Sequence, residues 1–212
     1  MTVGGKMEYL DYYDENDNYL GFETREKVHS EGLWHKTVQN WLYTHDGKVI
    51  FQVRMDAHKL YTTSSGHVDK GESIEEAFKR ETKEEIGLDL DASTAKRIKI
   101  IKWQMDTVKK DGSIIKDRAK ASVFIVPFEG DYRDFKFDES EVEGVGFVDA
   151  KEALKLFVGE LEEIEIKMVK KGDHENINID RKVTIGDFLV MPNETAMEKY
   201  GFILRAILEE IK

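Results

Sequence analysis

GHVDKGESIEEAFKRETKEEIGL, residues Gly66 to Leu88, is the stretch from which the rest of the chain can be read. Ser73 and Glu76 have the spacing of a capping box just after Gly71, which predicts a helix start there. Gly87 supplies a C-terminal stop and bounds a helix of about three to four turns. On a wheel of about 100° per residue, Ile74, Ala77 and Phe78 share one face, and Glu81, Glu84 and Glu85 continue it. Glu75, Glu76, Lys79 and Lys83 occupy the opposite side, where Glu75–Lys79 makes an ordinary i,i+4 pair. The inward stripe is therefore apolar in its first half and triply acidic in its second. Carboxylates clustered on a partly buried face repel one another and are costly to desolvate. They also stand at the wrong end of the helix dipole for stability. A hard divalent cation with oxygen ligands, Mg2+ or Mn2+, resolves both problems.

Written as a pattern, the stretch is G-x5-E-x7-R-E-x-x-E-E-x-G-Leu, and it resembles the signature of the Nudix hydrolases. One position departs from it: Thr82 stands where a bulky aliphatic residue is usual. The resemblance implies an α+β fold, a mixed sheet in a Nudix-like α/β/α sandwich. It also implies metal-assisted hydrolysis of a diphosphate linkage in a nucleoside diphosphate derivative or a related small molecule. Glu81, Glu84 and Glu85 are then the metal residues, together with the backbone carbonyl near Gly66. Glu81 or Glu84 is the candidate base, and Arg80 anchors the cluster by pairing with Glu72 or another acid. The base in this family sometimes comes from a loop outside the signature, which makes Glu139 and Glu141 the external candidates.

Composition narrows the classes. In 212 residues, 43 acidic against 32 basic side chains leave a net charge of −11. That balance excludes bulk binding to nucleic-acid polymers or acidic membranes, which needs a basic surface. It leaves small phosphorylated substrates open. The chain has no cysteine, hence no disulfide and no thiolate nucleophile. No stretch approaches about 18 consecutive apolar residues, and a cytoplasmic location is the expectation.

Along the chain, residues 7–13 and 19–26 read as short strands about a turn. His35–Thr44 and Val49–Arg54 flank the Asp46-Gly47 hairpin signal. Lys96–Val108 and Ile114–Phe128 form a second strand pair. Val145–Val148 is a brief strand before a helix at Asp149–Phe157. Residues 160–171 read as helical, and Gly172–Asp180 as a polar turn. Met197, Tyr200, Ile203, Leu204, Ile207, Leu208 and Ile211 make an apolar stripe at helical spacing, with Pro192 and Asn193 or Thr195 giving the start. The division expected is a lead-in at 1–33, a catalytic domain at 34–157 and a C-terminal helical extension at 158–212. The stripe packs on the catalytic domain; a homodimer seam is the alternative.

Outside the signature, residues 8–150 resemble the isopentenyl-diphosphate-isomerase-like branch of the same superfamily. Type I isomerases carry a cysteine before the Gly-His that opens the signature; here the residue is Ser65. They also hold a metal with three histidines and a glutamate pair. His29, His35 and His67 match the histidines, but Ile115–Lys120 supplies no such pair. The resemblance is thus one of scaffold, and the chemistry expected is hydrolytic. His35, His67 and Trp34 are the substrate-contact candidates, with His29 unassigned. An isomerase-like enzyme and a non-catalytic nucleotide sensor are the competing readings, although sensors of that kind often lose signature glutamates and none is lost here.

Overall fold

The computed structural model describes residues 7–109, 111–191 and 194–212. In chain order these form β1 (Tyr9–Tyr13), β2 (Tyr19–Thr24), α1 (Arg25–Glu31), β3 (Trp34–Tyr43), β4 (Lys48–Arg54), β5 (Leu60–Tyr61), β6 (Ser64–His67), α2 (Ile74–Ile86), β7 (Lys96–Val108), β8 (Ile114–Pro127), β9 (Val142–Asp149), α3 (Ala150–Phe157), β10 (Ile164–Lys171), β11 (Asn176–Val183) and α4 (Ala196–Glu210). The class is α+β with a mixed sheet and a C-terminal helix. Backbone contacts separate the chain into two compact units, and β3 and α2 each give their first residues to one unit and their last to the other.

The first unit takes the chain up to Gln39, Ser65–Phe78 and Lys99–Val123. In it β1 pairs antiparallel with β2 and with the start of β3, where Tyr12 faces His35 and Tyr13 faces Trp34. Helix α1 was not foreseen. Thr24 caps it by accepting from the Lys27 amide, and Gly32 closes it at φ 73°. Val28 is its buried anchor.

The second unit takes Asn40–Ser64, Lys79–Ile98 and everything from Phe124 on. Here β4 runs antiparallel to β9 from Lys48↔Asp149 to Arg54↔Val142, and β9 continues to β10 and β11. Residues 164–171 form a strand, correcting the helical expectation. Ile164, Ile166 and Met168 are buried while Glu165 and Lys167 are exposed, a period of two that β9 and β11 satisfy from either side. The expected polar turn at 172–180 is shortened for the same reason, since β11 begins at Asn176. Helix α4 starts from a capping box between Thr195 and Glu198. Pro192 and Asn193 lie outside the described residues. Tyr200, Ile203, Leu204 and Ile207 are buried. Met197, Leu208 and Ile211 are only partly covered. Tyr200 meets the rings of Trp41, Phe51, Phe157 and Phe188, an aromatic cluster that fixes α4 inside this unit.

Candidate active site

The start of α2 follows the sequence closely. The Ser73 hydroxyl accepts from the Glu76 amide at 3.2 Å, and the Glu76 carboxylate accepts from the Ser73 amide at 2.8 Å. At the other end Gly87 adopts φ 74°, where a side chain would be strained. A Cβ there would also lie 2.5 Å from Lys136 Cβ and 2.8 Å from its carbonyl oxygen. This close approach has a purpose in the backbone: the Lys136 amide donates to the Ile86 carbonyl at 2.9 Å and the Asp138 amide to the Glu85 carbonyl at 3.0 Å. The loop at 136–141 thereby satisfies carbonyls that the last turn of α2 leaves open.

Along the second-unit part of α2, the acidic residues differ in depth. Glu85 is 6 % exposed and accepts a 3.1 Å hydrogen bond from the Gln52 side-chain amide. The Glu81 side chain is 12 % exposed and that of Glu84 61 %. The continuous acidic face read from the wheel is thus corrected: the buried line runs through Thr82, Glu85 and Ile86, so Glu81 sits at its margin and Glu84 on the rim. Arg80 Nη1 spans both marginal acids, 2.7 Å from Glu81 and 3.1 Å from Glu84. Burial pushes the Glu81 carboxyl up to about 7; Arg80 opposes that rise, and the neighbouring charges of Glu84 and Glu141 add to it. Of the two external acids, Glu141 is therefore within electrostatic reach of Glu81, whereas Glu139 pairs with Lys171 at the surface.

Thr82, the departure from the usual pattern, is fully buried. Its hydroxyl accepts from Asn40 Nδ2 at 3.1 Å and lies 3.3 Å from Ser64 Oγ, while Asn40 Nδ2 also reaches Ser64 Oγ at 3.0 Å. A polar residue inside the helix is thus matched by two polar residues on strands. Sequence reading missed Gln52, Asn40 and Ser64. For Gln52 the available signal was a polar residue inside the apolar run of β4, which requires a buried partner; Asn40 and Ser64 lie among other polar residues and gave no such signal.

In the first unit, Gly66 and His67 lie on β6, and Trp34 and His35 begin β3. Trp34 takes part in a different contact from the histidines, with Lys120 Nζ 5.6 Å from its ring. His35 and His67 do come together, and His29 of α1 joins them. One ring nitrogen from each lies within 4.8 Å of the others. Burial holds the His29 and His35 imidazoles below the ordinary histidine range, the Asp117 charge opposing it in both.

The NUDIX domain family matches residues 33–170. The chain belongs to the Nudix family. It is similar over nearly its whole length to an uncharacterised Nudix hydrolase of Clostridium acetobutylicum, 26 % identical over 215 residues that make up 96 % of this chain and 98 % of that protein. An isopentenyl-diphosphate Delta-isomerase of Serratia proteamaculans is 32 % identical over 85 residues, 38 % of this chain and 48 % of its own. Among solved structures, DR0079 of Deinococcus radiodurans shares the fold, with a TM-score of 0.52 and 21 % identity over 72 % of this chain and 90 % of that one. The chain is accordingly a Nudix hydrolase, an enzyme class that acts on small diphosphate-containing substrates and generally uses divalent metals. Among the described residues, no helix is long and apolar enough to cross a membrane.

Proposed function

We propose that this Nudix hydrolase cleaves a diphosphate linkage in a nucleoside diphosphate derivative or a related small molecule, using Mg2+ or Mn2+. The observation that carries the reading is Glu81, a carboxyl whose pKa burial pushes up to about 7 and which has Glu84 and Glu141 in electrostatic reach. A mostly buried acid with that surplus of negative charge fits a site made for positive charge, and its oxygen donors suit a hard cation. Glu81 and Glu85 would hold the ion, with Glu84 supporting from the rim. When bound, the ion supplies positive charge against the diphosphate oxygens and acidifies water.

The chain's own groups carry the remaining work. Gln52 orients the Glu85 carboxylate. Arg80 fixes Glu81 and Glu84 through one guanidinium nitrogen, so both carboxylates keep defined directions. A carboxylate beside the ion takes the proton that water releases as it attacks phosphorus, and Glu81 is the first candidate. Glu141 is the second acid in reach of it. The test is a release assay for phosphate and nucleotide over a panel of nucleoside diphosphate derivatives with Mg2+ or Mn2+. Turnover by the wild type, lost in Glu81→Gln and Glu85→Gln while Glu76→Gln retains it, supports the reading. Turnover unchanged in both site variants overturns it.

A further inference from the structure

A cluster of cations and one aromatic ring stands beside the Gln52–Glu85 pair, all of it within the second unit. Tyr61 of β5 is the cross-strand partner of Gln52 of β4, and partners across a ladder point to the same face. Tyr61 therefore shares the face of the sheet from which Gln52 reaches Glu85 of α2. Arg54, two residues along β4, sets its guanidinium 5.5 Å from the centre of the Tyr61 ring. From the first turn of α4, Lys199 brings Nζ to 4.9 Å from the same centre. The ring is met by two cations, one from the strand and one from the C-terminal helix.

The two cations differ in how they are held. Arg54 is engaged, its Nε and Nη2 donating to the two carboxylate oxygens of Asp56 at 2.9 and 2.8 Å. Lys199 has the Glu194 carboxylate at 3.7 Å, an ion pair longer than a hydrogen bond. Its side chain is only 15 % exposed, whereas a lysine that merely packs its stem sends the ammonium out to water. Burial pulls this ammonium below the ordinary lysine range; Glu194 opposes the fall and Arg54 adds to it. Tyr200, the next residue of the helix, is locked in the aromatic cluster, so Lys199 stands on a rigid element. Asp56 holds the Arg54 guanidinium up and the more distant charge of Glu85 adds to that, which puts the cations within electrostatic reach of the proposed metal residues.

We infer that Lys199 is a specificity-determining residue that binds an anionic group, carboxylate or phosphate, on the part of the substrate beyond the diphosphate. The inference rests on the hydrolase reading above and narrows its substrate class to nucleoside diphosphate derivatives that carry a further negative charge. Cross-strand neighbours stand about 5 Å apart at Cβ, which sets Lys199 on the order of 10 Å from Glu85, roughly the length of a sugar attached to a diphosphate. An extra anion on such a molecule is repelled by the glutamates of α2 unless a fixed cation receives it at the far end. An ammonium that folding has already taken out of water gives up little further hydration on binding, and its bond to a carboxylate or phosphate is charge-assisted.

The test uses the full chain and two pairs of probes that keep the diphosphate and differ in one anionic group: UDP-glucuronate against UDP-glucose for a carboxylate, and NADP+ against NAD+ for a phosphate. Turnover is followed with Mg2+, and calorimetric binding with Ca2+ in its place reads the same preference where no turnover occurs. The wild type should favour the charged member of at least one pair, and Lys199→Gln should cut that preference about tenfold, the effect of one charge-assisted hydrogen bond. The change should fall on KM and Kd, with the ratio of kcat values within the pair held. Lys199→Arg should restore part of the preference, and Lys182→Gln, which removes an exposed charge elsewhere, should not disturb it. Lys199→Met keeps the packed stem and takes over if the glutamine variant fails to fold. No preference in the wild type, or the same preference in the folded Lys199 variants, overturns the inference. A preference in the binding arm that depends on Lys199, with no turnover of any probe, supports this subsite and counts against the hydrolytic assignment alone.

Discussion

Gln52 of β4 and Glu85 of α2 meet out of solvent, the amide donating across 3.1 Å to a carboxylate that is 6 % exposed. The pair places a carboxyl group in the core with a neutral donor against it. Gln52→Leu removes that donor and should cost about 1.5–3 kcal/mol of stability, the range for a hydrogen bond to a charged group. Glu85→Gln removes the charge instead, so the chelator-treated protein should keep or gain stability while Mg2+ and Mn2+ affinity and turnover fall sharply. Calorimetry in chelator, beside metal titration of the same samples, separates the two effects. Unchanged metal affinity in Glu85→Gln removes this residue from the site.

The raised carboxyl of Glu81 has a signed consequence for pH. Its folded-state pKa of about 7 exceeds the ordinary value of 4.5. The stabilising contribution is therefore full below 4.5 and is lost as pH rises through 7. Without metal the protein should become less stable between pH 4.5 and 7.5, by up to roughly 3 kcal/mol from this group. Glu81→Gln should remove most of that slope and stabilise the metal-free protein at pH 8. Denaturant melts across that pH range, on wild type and variant, give the answer; parallel slopes contradict the assignment.

Thr82 invites a substitution that looks harmless from the sequence. Thr82→Val restores the aliphatic residue usual at this place in the signature and conserves volume. It also removes the oxygen that accepts from Asn40 Nδ2 and faces Ser64 Oγ. The variant should lose about 1–2 kcal/mol, because a buried hydrogen bond goes with no gain in packing. A double-mutant cycle with Ser64→Ala should show coupling above about 0.5 kcal/mol, the threshold for residues sharing one network.

How far the sequence could be read varied with how local the physics was. The capping box at Ser73–Glu76, the stop at Gly87 and the strands Lys96–Val108 and Ile114–Pro127 depend on neighbours in the chain, and they were legible. Strand β10 was not, because Lys and Glu on its exposed face made 160–171 resemble a charged helix. Its period of two becomes evident only when β9 and β11 flank it. The depth of each glutamate was equally out of reach. The wheel gives a direction, but it takes Gln52 and the 136–141 loop to show that Glu85 is buried and Glu84 is not. Asp117 was passed over because it is a single acid where a pair was sought, and only the fold brings it to the histidines.

The wild-type chain should not interconvert isopentenyl and dimethylallyl diphosphates. The isomerase resemblance of residues 8–150 implies a shared scaffold, but it sets Ser65 at the place of the thiol acid, and the chain has no cysteine elsewhere. A serine hydroxyl is a far poorer proton donor at neutral pH. A proton-exchange assay in heavy water with the purified protein is sensitive enough to decide. Robust exchange into either diphosphate would overturn the hydrolase-only reading, and Ser65→Ala would then locate the acid.

Tyr200 allows the role of α4 to be measured by two substitutions of different size. Its ring is buried among Trp41, Phe51, Phe157 and Phe188, and its hydroxyl donates to the Leu189 carbonyl. Burial raises the hydroxyl's pKa, so it stays protonated and remains a donor at any working pH. Tyr200→Phe keeps the ring and loses only that bond, with an expected cost of about 0.5–1.5 kcal/mol. Tyr200→Ala opens a cavity in the aromatic cluster and should cost about 3–5 kcal/mol. If α4 is part of the second unit's core, both losses appear in a single cooperative melt whose midpoint is independent of protein concentration. If the helix is instead the seam of a dimer, the melt depends on concentration, and Tyr200→Ala yields a monomer of nearly normal stability. Light scattering beside calorimetry on the two variants distinguishes these outcomes, and a stable monomer from a dimeric parent refutes the core assignment.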